Sequence, residues 1–172
     1  MINEYGTTQP EHSKTASNDD VISTLNGLIE TCKDGQQGFK QAAEAIQNSQ
    51  LKSVFYELDQ QRAKFAGELQ GLVRELGGDP ENSGSFSGAL HRGWINIKAA
   101  VTGKDEGSIL NECERGEDIA KSTYKEALEQ HLPANVASVV QTQYTAVQTA
   151  HDQVKAFRDS VNNASNSAKS GS

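Results

Sequence analysis

A chain of 172 residues, 35% of them hydrophobic, has the material for one modest core. Sixteen basic against 23 acidic residues leave a formal charge of −7 with no basic stripe, which argues against a surface built to track phosphates, so nucleic acid is not an expected partner. No apolar run approaches a membrane span and residues 1–20 carry no hydrophobic signal segment, so the expectation is a cytoplasmic protein with no membrane partner.

Residues 1–17 (MINEYGTTQPEHSKTAS) lack an apolar period and read as a disordered arm, with His12 solvated. The first helix should open near Ser17–Asp20, where small oxygen-bearing side chains cap free N–H groups and acidic charge suits the helix dipole, and run to about Asn48. Its inward stripe is Val21, Leu25, Leu28, Cys32, Gly35, Phe39, Ala43 and Ile46, with Gln36 at the margin. The second helix, about 50–76, turns Leu51, Val54, Phe55, Leu58, Phe65, Leu69, Leu72 and Leu76 inward and carries Arg62 in mid-stripe. Gly77-Gly78-Asp79-Pro80 ends it. A connection of two or three residues makes helices one and two antiparallel neighbours.

Residues 81–104 form a long connection with a short amphipathic helix at 86–101 (FSGALHRGWINIKAAV), in which Leu90, Trp94, Ile97 and Val101 share a face. His91 and Arg92 there read as packing and surface residues, because no second ligand stands at suitable spacing. The third helix, about 105–131, places Leu110, Cys113, Glu117, Ala120, Tyr124 and Leu128 on one face, so a carboxylate stands where an apolar side chain is expected. After Leu132-Pro133 the fourth helix runs over about 134–162 with Val136, Val140, Gln143, Val147, Ala150, Val154, Phe157 and Val161 inward and His151 at the edge. The last ten residues, 163–172 (NASNSAKSGS), read as a disordered tail. The domain is therefore 18–162.

Short, long and short connections suggest two antiparallel helix pairs joined by a crossover, with up-down-up-down order as the alternative. Pairing about each short turn sets Arg62 opposite Gly35 and Gln36, Glu117 opposite Gln148, and Glu114 opposite His151. This predicts a polar layer at half height containing Arg62, Glu117, Gln36, Gln143 and His151, with a Tyr124 or Tyr144 hydroxyl beside it. The ferritin-like di-metal pattern needs a carboxylate on two helices and Glu-x-x-His on the other two, whereas the matching positions read Asp59-x-x-Arg62 and Gln148-x-x-His151. No metal is expected on that pattern; Glu114, Glu117 and His151 are the candidates for a residual site. No nucleophile stands at recognisable spacing from a histidine and an acid, and Gly27, Gly35, Gly38, Gly67, Gly71 and Gly116 read as close helix contacts. Cys32 and Cys113 read as buried reduced thiols; a disulfide requires their helices to be adjacent at one height.

Four blocks in order, LNGLIETCKDGQQGFKQAAE (25–44), ELQGLVRELGGDP (68–80), SGALHRGW (87–94) and ECERGEDIAKSTYKEAL (112–128), resemble a bacterial family of small ferritin-like four-helix-bundle proteins of unknown function, over about 18–159. The resemblance implies an all-α ferritin-like bundle and a cytoplasmic protein with a stress-related role; it implies no established reaction. The resulting expectation is a non-catalytic bundle that forms a homodimer or binds another protein, has no cofactor, and carries a structural polar layer in place of a di-metal site. Its rival is a degenerate metal or oxidoreductase site holding iron or manganese.

Overall fold

The computed structural model describes residues 17–80 and 105–171. Within them the chain forms four long helices: α1 (Asn18–Ala45), α2 (Ser49–Glu75), α3 (Glu106–Leu128) and α4 (Ala134–Lys169). The arm at 1–16 and the expected short helix at 86–101 lie outside the described residues.

Each of the first three helices opens on a side-chain cap. Ser17 accepts from the Asp20 N–H, Asn48 from Gln50 and Leu51, and Asp105 from Gly107. Asn48 therefore begins α2 instead of ending α1, which stops at Ala45 as Ile46 turns extended. Asparagine satisfies free amide donors better than it extends a helix, so the sequence boundary was three residues too late. The third helix ends at Leu128 rather than His131, and the N–H groups of Glu129, Gln130 and Leu132 close a turn ahead of Pro133. The fourth helix, in contrast, runs past the expected stop at 162 to Lys169, so 163–169 are helical instead of a disordered tail. Asn and Ser cost only tenths of a kcal/mol each in a helix, roughly 0.7 at most, and no glycine or proline interrupts them before Gly171. This last stretch is exposed throughout, and burial along α4 stops at Val161.

The core falls into two clusters. One joins the start of α1 (Val21, Leu25) to the end of α2 (Leu69, Val73), the end of α3 (Tyr124, Ala127) and the start of α4 (Val136, Val140). The other joins the end of α1 (Phe39, Ile46), the start of α2 (Leu51, Phe55), the start of α3 (Ile109, Leu110) and the end of α4 (Ala150, Val154). Thus α2 finishes at one end of the bundle and α3 begins at the other, and these two helices run parallel. This is the crossover order, and it removes the up-down-up-down alternative. Along α2 the buried residue near the end is Val73, while Leu72 and Leu76 are half-buried, a drift expected of a straight 3.6-residue helix.

The stop after α2 is a Schellman turn. Gly77 has φ +82, its N–H reaches Arg74 O, and the Gly78 N–H reaches Val73 O. Gly67, in contrast, lies exposed in mid-helix with nothing within 4 Å of an added Cβ, and Gly71 is equally open. These two are not the close helix contacts their spacing suggested. Alanine at the two kinds of site should act with opposite sign: Gly77→Ala is expected to lose about 1–2 kcal/mol through left-handed strain, and Gly67→Ala to gain up to about 1 kcal/mol from helix propensity. Urea midpoints of the two variants check both.

Candidate functional site

Between the two apolar clusters lies one buried ion pair. Arg62 points inward from α2 and donates from Nη1 to Glu117 Oε1 at 2.8 Å and from Nη2 to Oε2 at 2.7 Å, the fork geometry of a bidentate pair. Arg62 is 1% exposed and Glu117 0%. Its path is set by Gly35 on α1, where an added Cβ would already touch Arg62 Cγ and Nη1 at 3.4 Å, so a larger side chain would displace the guanidinium. The Phe39 ring lies under the guanidinium, 5.5 Å from Cζ, and in turn meets Phe55 at 6.0 Å. Burial works against the arginine's charge, but the Glu117 carboxylate outweighs it and holds the guanidinium above its ordinary pKa. Arg62 Nε is buried without a hydrogen-bond partner among the described residues.

Two turns further along α3, at Tyr124, is a second, separate network. The Tyr124 hydroxyl donates to Gln143 Oε1 at 2.8 Å, and Gln143 Nε2 donates to Phe65 O at 3.3 Å and to Glu68 at 3.5 Å. Cys32 Sγ lies 3.0 Å from the same hydroxyl, in hydrogen-bond contact with it. Burial pushes the Cys32 thiol up to about 11, partly offset by its bond to Tyr124, and pushes Tyr124 and Cys113 well above their usual ranges. Both cysteines are free. They belong to different clusters, on either side of the ion pair.

The five residues expected in one layer therefore divide. Arg62 and Glu117 meet. Gln143 is buried, but in the tyrosine network. Gln36 stays half-buried at the margin, since the backbone of Gly35 already fills the space facing Arg62. His151 is buried at the α3–α4 interface yet turned away from the centre, with Nε2 2.6 Å from Asp118 and Nδ1 3.2 Å from Asp152. Glu114, expected opposite His151, is ion-paired to Arg158 Nη1, and Tyr124 rather than Tyr144 supplies the buried hydroxyl. Asp118 was missed, although its i,i+4 spacing from Glu114 was visible. Glu114, Asp118 and His151 each bring one ligand atom within 4.8 Å of the others, whereas Glu117 is committed to Arg62.

A di-metal centre of the ferritin-like kind does not fit here. A permanent cation occupies the axis, and both oxygens of the Glu117 carboxylate are already engaged.

The sequence matches the domain of unknown function DUF2383 over residues 20–130. The chain belongs to the DUF2383 family. No curated protein matches it. Among solved structures, this DUF2383 chain is similar to a two-domain protein from Anabaena variabilis containing DJ-1/ThiJ/PfpI-like and ferritin-like domains, with a TM-score of 0.72 at 12% identity. The match covers 86% of this chain and 41% of that one, so the DUF2383 chain spans less than half its neighbour's length. At that identity the likeness carries the fold alone: an all-α, ferritin-like four-helix bundle.

Proposed function

We propose that this protein is a non-catalytic ferritin-like bundle in which the Arg62–Glu117 pair stands in place of a di-metal centre, and that it acts by associating with itself or with another protein. The observation that carries the reading is the bidentate pair itself, fully shut from solvent at half height, where it contributes register between the two helix pairs and leaves neither oxygen of Glu117 for a metal at the bundle centre. A cytoplasmic, stress-related bacterial role belongs to the same reading; two free buried thiols fit a reducing compartment. No helix among the described residues is long and apolar enough to cross a membrane.

The test is ferrous iron added anaerobically, followed by air. The expected result is no faster iron oxidation than in buffer and no pair of irons dependent on Glu117. Two irons per chain, lost in Glu117→Gln and retained in Asp118→Asn, would overturn the proposal. Sedimentation of the full chain then addresses self-association, with a strictly monomeric protein that captures no partner counting against it.

A further inference from the structure

We propose that Glu114, Asp118 and His151 form a site for one first-row divalent cation on the α3–α4 flank, outside the bundle centre and sharing no residue with the Arg62–Glu117 pair. Their ligand atoms lie within 4.8 Å of one another. The second, independent observation is the state of His151. Its side chain is only 9% exposed, and its Nδ1 is held by Asp152, which lies outside the cluster. Both ring nitrogens face carboxylates, Nδ1 that of Asp152 at 3.2 Å and Nε2 that of Asp118 at 2.6 Å, so the ring is held with Nε2 toward the cluster. A proton on Nε2 bridges that approach in the metal-free protein, and a divalent cation can take the proton's place between the two atoms. A carboxylate behind the far ring nitrogen is also the usual support of a metal-binding histidine.

The surrounding charge agrees. Glu114 is held by Arg158 through Nη1, and the carboxylates of Asp118 and Asp152 flank His151. Arg158 is bonded to Asp159 as well, through Nη2 at 2.9 Å and Nε at 3.3 Å, so a cation can take Glu114 while the arginine keeps a partner. Arg158 and the cation are therefore competitors for one carboxylate. One imidazole and two carboxylates suit zinc, manganese or ferrous iron better than magnesium or calcium, which favour all-oxygen shells. Asp118 is 59% exposed, which leaves water to complete the coordination.

The test is calorimetric titration of the chelator-stripped full-length chain with zinc chloride. One zinc per chain is expected. Asp118→Asn, at an exposed position that does not threaten folding, and His151→Ala should each abolish saturable binding. Asp152→Ala should weaken binding about 10-fold, and Arg158→Ala should strengthen it. Absence of zinc binding by the unaltered chain overturns the proposal, and so does unchanged affinity in Asp118→Asn, as zinc held by thiols or by other histidines would show. Unchanged or weaker affinity in Arg158→Ala contradicts the competition on which it rests. Dependence on Asp118 separates this site from any metal at the bundle centre, which would depend on Glu117.

Discussion

Glu117→Ala should cost about 3–5 kcal/mol, the usual consequence of leaving one member of a buried ion pair without its partner. Stabilities of single domains run to only about 5–15 kcal/mol, so this one change is expected to bring the protein near to unfolding. The magnitude follows from Arg62, which cannot give up its proton and is 1% exposed, with Nε already lacking a partner among the described residues. The paired substitution Arg62→Met with Glu117→Leu should behave differently. Methionine keeps an unbranched chain past Gly35, and the desolvation of two charges disappears with their attraction, so the double variant is expected within about 1 kcal/mol of the parent or above it. Urea unfolding of the three proteins decides the matter. A loss below about 1 kcal/mol in Glu117→Ala would mean that the pair is not the fold's central polar contact.

The second large effect is alkaline. Burial raises Cys32 from 9.0 to about 11 and moves Cys113 and Tyr124 in the same direction. Below pH 9 the cysteines are protonated in both the folded and the unfolded chain, and their contribution is fully present. Above it the unfolded chain releases thiol protons that the folded chain retains, so the unfolded state gains and stability falls as pH rises. Between 9.0 and about 11 Cys32 alone should remove roughly 3 kcal/mol, with Cys113 and Tyr124 adding to the loss. Urea midpoints measured from pH 7.5 upward should hold level to about pH 9 and then drop, and Cys32→Ala should flatten that drop. A midpoint indifferent to alkali would mean that these groups meet solvent in the folded protein.

What the sequence disclosed follows from which interactions are periodic. The apolar stripes of all four helices repeat every three or four residues, and the two short turns fix antiparallel neighbours, so the bundle and the meeting of α2 with α1 at Arg62 and Gly35 were legible. That Arg62 and Glu117 belong to one polar layer was legible as well, because each was the charged residue on its own apolar face; the bidentate geometry was not. What periodicity cannot supply is rotation about the helix axis to within a few tens of degrees. That rotation sends Glu114 and Asp118 to the flank with His151, leaves Glu117 alone at the centre, and makes Val73 rather than Leu72 the buried residue near the end of α2. Helix ends were misplaced for a different reason. Asn48 caps α2 and α3 gives way to a turn ahead of Pro133, both local effects, while α4 continues through a polar stretch because nothing forbids it.

The parallel course of α2 and α3 also bears on how the chain reaches its native state. Arg62 belongs to the hairpin of α1 and α2, and Glu117 to the hairpin of α3 and α4, 55 residues apart in sequence. Each hairpin can close through contacts near its own turn, but neither can dehydrate its charge alone. Loss of water from the two groups is therefore a joint event, completed only when the hairpins dock in register. Premature collapse of either half on its own meets the full hydration cost of an isolated ion, which makes the pair a checkpoint on assembly as well as a bond in the finished fold.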